Sequence, residues 1–216
     1  MTSSFKAVIF DFDYTLADSS EGVVECVNYA LRGVGLPEAN ADEIRSTIGL
    51  PLPEILVSLA GRENSYMCEE YVVLFVEKAD EVIADSTEVF DFVPDVMSYL
   101  KERDYTLGIV STKFRHRIET ILKREGLLRF FDVIVGGEDV SRHKPDPESL
   151  NLATRRLGLP REKLIYVGDS VTDAKTAKSS GVSFIAVLSG VTPRDAFKDY
   201  PRYAILASIQ GLRGVL

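Results

Sequence analysis

Asp11 and Asp13, two acidic residues separated by Phe12 in DFDYT (11–15), are the first positions whose chemistry stands out. They close a β-branched and aromatic run, KAVIFDF (6–12), that reads as a buried strand. Alternation along a strand sends both carboxylates to one side and Phe12 to the other. Carboxylates this close repel unless a cation or a shared proton relieves them. A nucleophile next to a general acid/base, with a divalent counterion, needs that arrangement. Solvated acids at a strand end, or a helix N-cap, fit the same residues.

Three further groups end hydrophobic runs. Ser111-Thr112-Lys113 follows YTLGIV and offers hydroxyls and backbone N–H groups suited to phosphate oxygens, or to capping the next helix. Lys144 lies in HKPDP (143–147), where Pro145 and Pro147 restrict the chain just before a helix. A lysine fixed there can neutralise a phosphate oxygen and a nucleophile together; a solvated lysine in a turn is the alternative. Asp169 and Asp173, in GDSVTD (168–173), lie about one helical turn apart on one face. Carboxylates are what Mg²⁺ prefers, although an N-cap with an acid in the first turn reads the same way.

The elements that must position these groups follow from periodicity. After FDFVPDV (90–96), helices at 94–103, 115–126, 147–157 and 171–180 alternate with strands at 105–111, 132–136, 164–168 and 183–188. Such alternation implies parallel βαβ units, hence an α/β, doubly wound, mainly parallel Rossmann-like sheet whose ligands bind beyond the carboxyl ends of the strands. Residues 18–88 differ. Val24, Val27, Leu31 and Val34, then Ile55, Leu56 and Leu59, then Val72, Phe75, Val76, Ala79 and Ile83 recur at helical spacing. Gly35, Pro37, Pro51 and Pro53 punctuate them, so a four-helix insertion is expected. The expected domains are 1–17 with 89–216 as the core, and 18–88 as the insertion.

The chain has 216 residues, a net charge of −8 and 45% hydrophobic residues, enough for a packed core with a smaller second lobe. Acidity disfavours nucleic acid as a partner. The insertion holds 15 acidic and 4 basic side chains, which suggests lobes with different surfaces. Cys26 and Cys68 are too few for a disulfide framework and fit a reducing cytosol. Asp11 and Asp13 interrupt the N-terminal apolar run, and no stretch approaches a membrane span. A cytoplasmic protein without a membrane partner is the expectation.

Taken in order, DxDxT at Asp11, Asp13 and Thr15, a serine at Ser111, a lysine at Lys144 and paired acids at Asp169 and Asp173 resemble the four motifs of the haloacid dehalogenase superfamily. The resemblance covers nearly the whole chain. The insertion is similar to the helical cap of the phosphoglycolate phosphatase and β-phosphoglucomutase branch. It implies a Mg²⁺-dependent phosphatase acting on a small phosphorylated metabolite. Asp11 would be the nucleophile and Asp13 the acid/base. Ser111, Thr112 and Lys144 would grip phosphate. Asp11, Asp169 and the Asp13 carbonyl would hold Mg²⁺, with Asp173 ordering metal waters or Lys144.

True haloacid dehalogenases lack an acid at the position of Asp13, so the resemblance implies a phosphatase rather than carbon–halogen chemistry. Tyr14 stands where this family usually has glycine, which alters the pocket and with it the substrate. Arg45, and Gly49 within TIGLPL (47–52), are candidate specificity residues of the insertion. Acidity turned toward the cleft would repel polyanionic leaving groups; turned to solvent it would not. A β-phosphoglucomutase-like isomerase, a pyrophosphatase and a non-catalytic phospholigand sensor are the rival readings. A monomer or a homodimer fits equally.

Overall fold

The computed structural model describes residues 5–216. The chain forms two compact units, one from the residues up to Asp18 together with Val89–Leu216, the other Ser19–Glu88. The first strand, β1, is Ala7–Phe10. Short strands β2 (Ala17–Asp18) and β3 (Glu88–Val89) form a separate two-stranded sheet. Then come β4 (Thr106–Val110), β5 (Val133–Val135), β6 (Leu164–Gly168), β7 (Ser183–Val187) and β8 (Ala204–Leu206). The main sheet has the order β5-β4-β1-β6-β7-β8, and every pairing in it is parallel.

The register sets the site. Phe10 pairs with Ile109 of β4 on one side and Val167 of β6 on the other, so these three strands end level. The chain leaves β1 for β4 and β5, then returns to β6 on the opposite flank. The strand order therefore reverses at β1, which is where open α/β sheets open a crevice at their carboxyl edge.

In the helical unit α1 (Ser20–Gly33), α2 (Ala41–Thr47), α3 (Leu52–Ala60) and α4 (Cys68–Ser86) enclose their own core. Tyr71, Phe75, Ala79 and Ile83 recur every four residues along α4 and bury one stripe against Val23, Cys26, Val27, Ala30 and Leu31 of α1. Val24, Val34 and Val72 sit only at the edge of that core. Tyr71 and Cys26 take the interior places that a count of aliphatic residues alone assigns to them. Asn40 starts α2 with a capping box, its side chain accepting from Asp42 N at 2.8 Å while Glu43 reaches back to Asn40 N.

In the sheet unit the helices are α5 (Val93–Lys101), α6 (Arg115–Arg124), α7 (Glu148–Leu157) and α8 (Val171–Ser180). Ala7 and Ile9 pack toward Leu150 and Ala153 of α7 and Ala174 and Ala177 of α8. Val8 and Phe10 point to the other face and are equally buried. Each such aliphatic or aromatic side chain contributes about 1.5–3 kcal/mol relative to exposure. One strand of the main sheet escapes the periodicity, as do the two-residue strands β2 and β3. β8 is three half-buried residues, and a 3-10 turn at Arg194–Phe197, rather than a helix, lies between it and β7. No helix among the described residues is long and apolar enough to cross a membrane.

Tyr71 is fully buried and its hydroxyl has no hydrogen-bond partner among the described residues. Burial pushes its pKa up, with Cys26 and Cys68 adding to the effect. Leaving a buried hydroxyl unmade costs about 1–3 kcal/mol. Tyr71→Phe should therefore hold or raise the thermal midpoint of the chain. A clear drop in a melting experiment would contradict this account of the helical core.

Candidate active site

Strand β1 stops at Phe10, so alternation is not what aims Asp11 and Asp13; a closed turn does. Leu16 N and Ala17 N donate to the Phe12 carbonyl at 2.9 and 3.2 Å, and Tyr14 N donates to the Ala17 carbonyl at 2.7 Å. Asp11 N is tied to the Val167 carbonyl of β6 at 2.8 Å. The Asp11 carboxylate accepts from Phe12 N at 2.7 Å and lies 2.9 Å from Lys144 Nζ. Asp13 faces a different cation, with Lys113 Nζ 3.2 Å from its Oδ1. Each acid thus has its own lysine.

Lys144 is 2% exposed, and its Nζ donates to Asp173 Oδ1 at 2.7 Å and to the Tyr166 hydroxyl at 3.3 Å. Burial works against its charge, but Asp11 and Asp173 more than offset this and hold the ammonium above the ordinary lysine value. The loop carrying it is anchored by α7. Glu148 accepts from Ser141 N and Arg142 N, both at 3.1 Å, and Glu148 N donates to Asp146 Oδ1 at 2.9 Å. The bonds its carboxylate accepts, the one from Ser141 N foremost and then those from Arg142, hold the Glu148 carboxyl below its ordinary pKa.

Asp173 closes the helix cap that its sequence position allowed and also meets Lys144. Its Oδ2 accepts from Ser170 N at 3.1 Å and from the Ser170 hydroxyl, and Ser170 Oγ accepts from Asp173 N, a complete capping box for α8. Its Oδ1 accepts from Lys144 and, at 2.8 Å, from Tyr166. Both oxygens are thus engaged by the protein, which makes Asp173 an anchor for Lys144.

Asp11, Asp169 and Asp173 are all buried, with ligand oxygens within 4.8 Å of one another. Burial, then the charge of Asp173, push the Asp11 carboxyl up to about 7 although Lys144 pulls the other way. The same two causes, with Asp11 third, push Asp169 well above the ordinary range. Three carboxylates against one ammonium leave an excess of two negative charges when all are ionised. A divalent cation with a preference for oxygen fits that excess and that donor set. Each Asp173 oxygen already has two partners, whereas each Asp11 oxygen has one, so Asp11 and Asp169 are the residues with lone pairs left to offer.

Ser111 N is fixed by the Val135 carbonyl at 3.1 Å, and Ser111 Oγ accepts from Lys113 N at 3.3 Å. The hydroxyl therefore turns its own loop; α6 starts from Phe114, without a side-chain cap. Thr112 is half-buried beside it. Gly136 and Gly137 leave the room in which Arg115 N and the Thr112 carbonyl stand. Asp11, Ser111, Lys144 and Asp169 sit on loops leaving one edge of the sheet, and Asp173 lies in the first turn of α8, which follows β6 there. Arg45 and Gly49 belong to the helical unit, where Arg45 pairs with Asp42 at 2.9 Å and Gly49 has φ +96.

Tyr14 does adopt the left-handed backbone expected of a glycine, with φ +57. Its carbonyl accepts from Ser189 Oγ at 2.6 Å, in the turn after β7. Tyr166, Ser189 and Gly190 meet the site and were passed over in the sequence, while Lys113 stood in the Ser111-Thr112-Lys113 stretch without a role of its own. Only Tyr166 carried a signal there, as a polar tip inside an otherwise apolar strand.

Comparison with known proteins agrees with this geometry. Residues 8–187 match the family model described as haloacid dehalogenase-like hydrolase. The chain is 32% identical to a pyrophosphatase from Bacillus velezensis over 84% of this chain and 82% of that protein. It is 30% identical to a phosphoglycolate phosphatase from Salmonella typhi over 87% and 82%. A crystal structure from Bacteroides fragilis titled as a haloacid dehalogenase-like hydrolase superposes with a TM-score of 0.92 at 39% identity, covering 96% of this chain and 99% of that one.

The raised Asp11 pKa has a consequence for folding. A carboxyl at about 7 in the folded chain, against an ordinary 3.8, stabilises fully below about pH 4, and that contribution is lost as pH rises through 7. In metal-free buffer, stability should fall between pH 4 and 7 by on the order of 1 kcal/mol per pH unit from this group. Asp11→Asn should make that slope shallower in denaturant titrations; an unchanged slope would contradict the assignment.

Proposed function

The chain belongs to the haloacid dehalogenase-like hydrolase family, and from that premise we propose that it is a Mg²⁺-dependent phosphatase of small phosphomonoesters working through an aspartyl-phosphate at Asp11. The observation that carries the reading is Lys144 Nζ, buried and 2.9 Å from Asp11. An ammonium held there neutralises a carboxylate that must approach an anionic phosphoryl group.

An Asp11 oxygen attacks phosphorus, and the bond from phosphorus to the ester oxygen breaks. Asp13 gives that oxygen a proton. Asp13, now anionic, takes a proton from a water that attacks the phosphorus, and the bond to Asp11 breaks to release inorganic phosphate. Two displacements replace one difficult step. Lys144 and Ser111, with Thr112, hold the phosphoryl oxygens, and Tyr166 and Asp173 hold Lys144. Asp11, Asp169 and the Asp13 carbonyl would hold Mg²⁺, whose charge balances the carboxylates and the phosphoryl oxygens.

For the substrate, the similarity to a phosphoglycolate phosphatase from Salmonella typhi favours a small phosphorylated acid or a sugar phosphate. The similarity to a pyrophosphatase makes pyrophosphate the competitor to test.

Release of phosphate from 2-phosphoglycolate, sugar phosphates, pyrophosphate and p-nitrophenyl phosphate should require Mg²⁺. It should fall at least about 1,000-fold in Asp11→Asn with folding retained. Isomerised hexose phosphate without phosphate release would instead make the chain a mutase, and appreciable turnover by Asp11→Asn would remove Asp11 as the nucleophile.

A further inference from the structure

A fifth loop, the turn that follows β7, comes up against Asp169 and the turn after β1. Two of its residues meet the site. Ser189 Oγ donates to the Tyr14 carbonyl at 2.6 Å. Gly190 comes so near Asp169 that an ideal Cβ built on it would stand 2.8 Å from Asp169 Cγ, 3.0 Å from Tyr14 Cβ and far inside contact distance of Asp169 Oδ2. Real Cβ atoms essentially never come within 3.0 Å of such neighbours. Rotating the Asp169 carboxylate about its last bond exchanges its two oxygens but leaves Cγ in place, so rotation does not relieve the overlap. Asp169 would have to swing at Cα–Cβ, or the 188–190 turn would have to withdraw from Tyr14.

We infer that Gly190 is a positioning residue for the metal site: its missing side chain is what allows Asp169 to stand where it can share a divalent cation with Asp11. The inference rests on the proposed Mg²⁺ site. Mg²⁺ accepts ligands only at about 2.0–2.1 Å in near-octahedral geometry, so a displaced carboxylate is lost as a ligand, not merely weakened. Asp169 has little slack to absorb the change, being 5% exposed. Gly190 does not need its freedom for backbone reasons, because no left-handed φ is recorded for it. What it supplies is room. Gly168 does the same for Asp173, whose Cγ would lie 2.6 Å from an added Cβ. One glycine thus clears the place of the cation ligand and the other that of the lysine anchor.

The test is calorimetric titration of Mg²⁺ alone into metal-free wild type, Gly190→Ala and, as a glycine with nothing within 4 Å of an added Cβ, Gly214→Ala. Gly190→Ala should weaken Mg²⁺ binding about tenfold or more, while Gly214→Ala should bind like wild type. In turnover, the Mg²⁺ concentration for half-activity should rise by a similar factor, with a smaller change in kcat at saturating Mg²⁺. Equal affinity of wild type and Gly190→Ala would overturn the role of Gly190 and leave the Mg²⁺ reading standing. No binding by wild type would remove both. Should Gly190→Ala fail to fold, Asp169→Ala combined with Gly190→Ala should restore a cooperative melt, because the colliding carboxylate is gone. A double variant that stays unfolded would overturn the inference.

Discussion

Three carboxylates with a single ammonium among them, all out of water, form the constraint on which this structure depends. Asp11, Asp169 and Asp173 have no room to spread their charge into solvent, and Lys144 touches two of them. Burying an ion is costly unless it is paired and hydrogen-bonded. The protein meets that cost unevenly. Asp173 receives every bond it can use, from Lys144, Tyr166 and Ser170. Asp11 and Asp169 do not, and burial raises both their pKa values. An under-compensated pair beside a satisfied one is an arrangement that could hold a metal ion.

The sheet exists, in this view, to bring distant segments to one edge. β1, β4 and β6 end level because their pairing is in register, and the turns beyond them take over where the ladder stops. Backbone bonds across strand ends, Asp11 N to Val167 and Ser111 N to Val135, fix the loops before any side chain contributes. Tyr166 then links the layers from inside, its hydroxyl within reach of the Val110 carbonyl, Asp173 and Lys144 at once. Burial and the nearby carboxylates keep that hydroxyl protonated, so it remains a donor.

Much of this was legible in the sequence. Periodicity located the alternating strands and helices of the sheet unit to within a few residues, because buried parallel strands are continuous apolar runs. It missed β8, too short and too exposed to leave a pattern. The chemical residues were legible by type, since acids and a lysine at strand tips are conspicuous. Their partners were not. Whether Lys144 meets Asp11 or solvent depends on contacts between segments more than 100 residues apart, which no local spacing encodes. Gly190 illustrates the harder limit: the sequence shows a glycine after a serine, and only the neighbouring Asp169 gives it meaning. Tyr14 is the reverse case. The sequence marked it as out of place, and the backbone it adopts, φ +57 with its carbonyl held by Ser189, shows how the turn accommodates it.

In the proposed reaction Asp11 carries the phosphoryl group between substrate and water. Acid quenching during steady turnover, followed by borohydride reduction and peptide mass spectrometry, tests it directly. An acyl phosphate at Asp11 would be reduced there, so homoserine is expected at position 11 in a substrate-dependent fraction of the chains. Reduction at another carboxylate, or none despite continuing phosphate release, would contradict it.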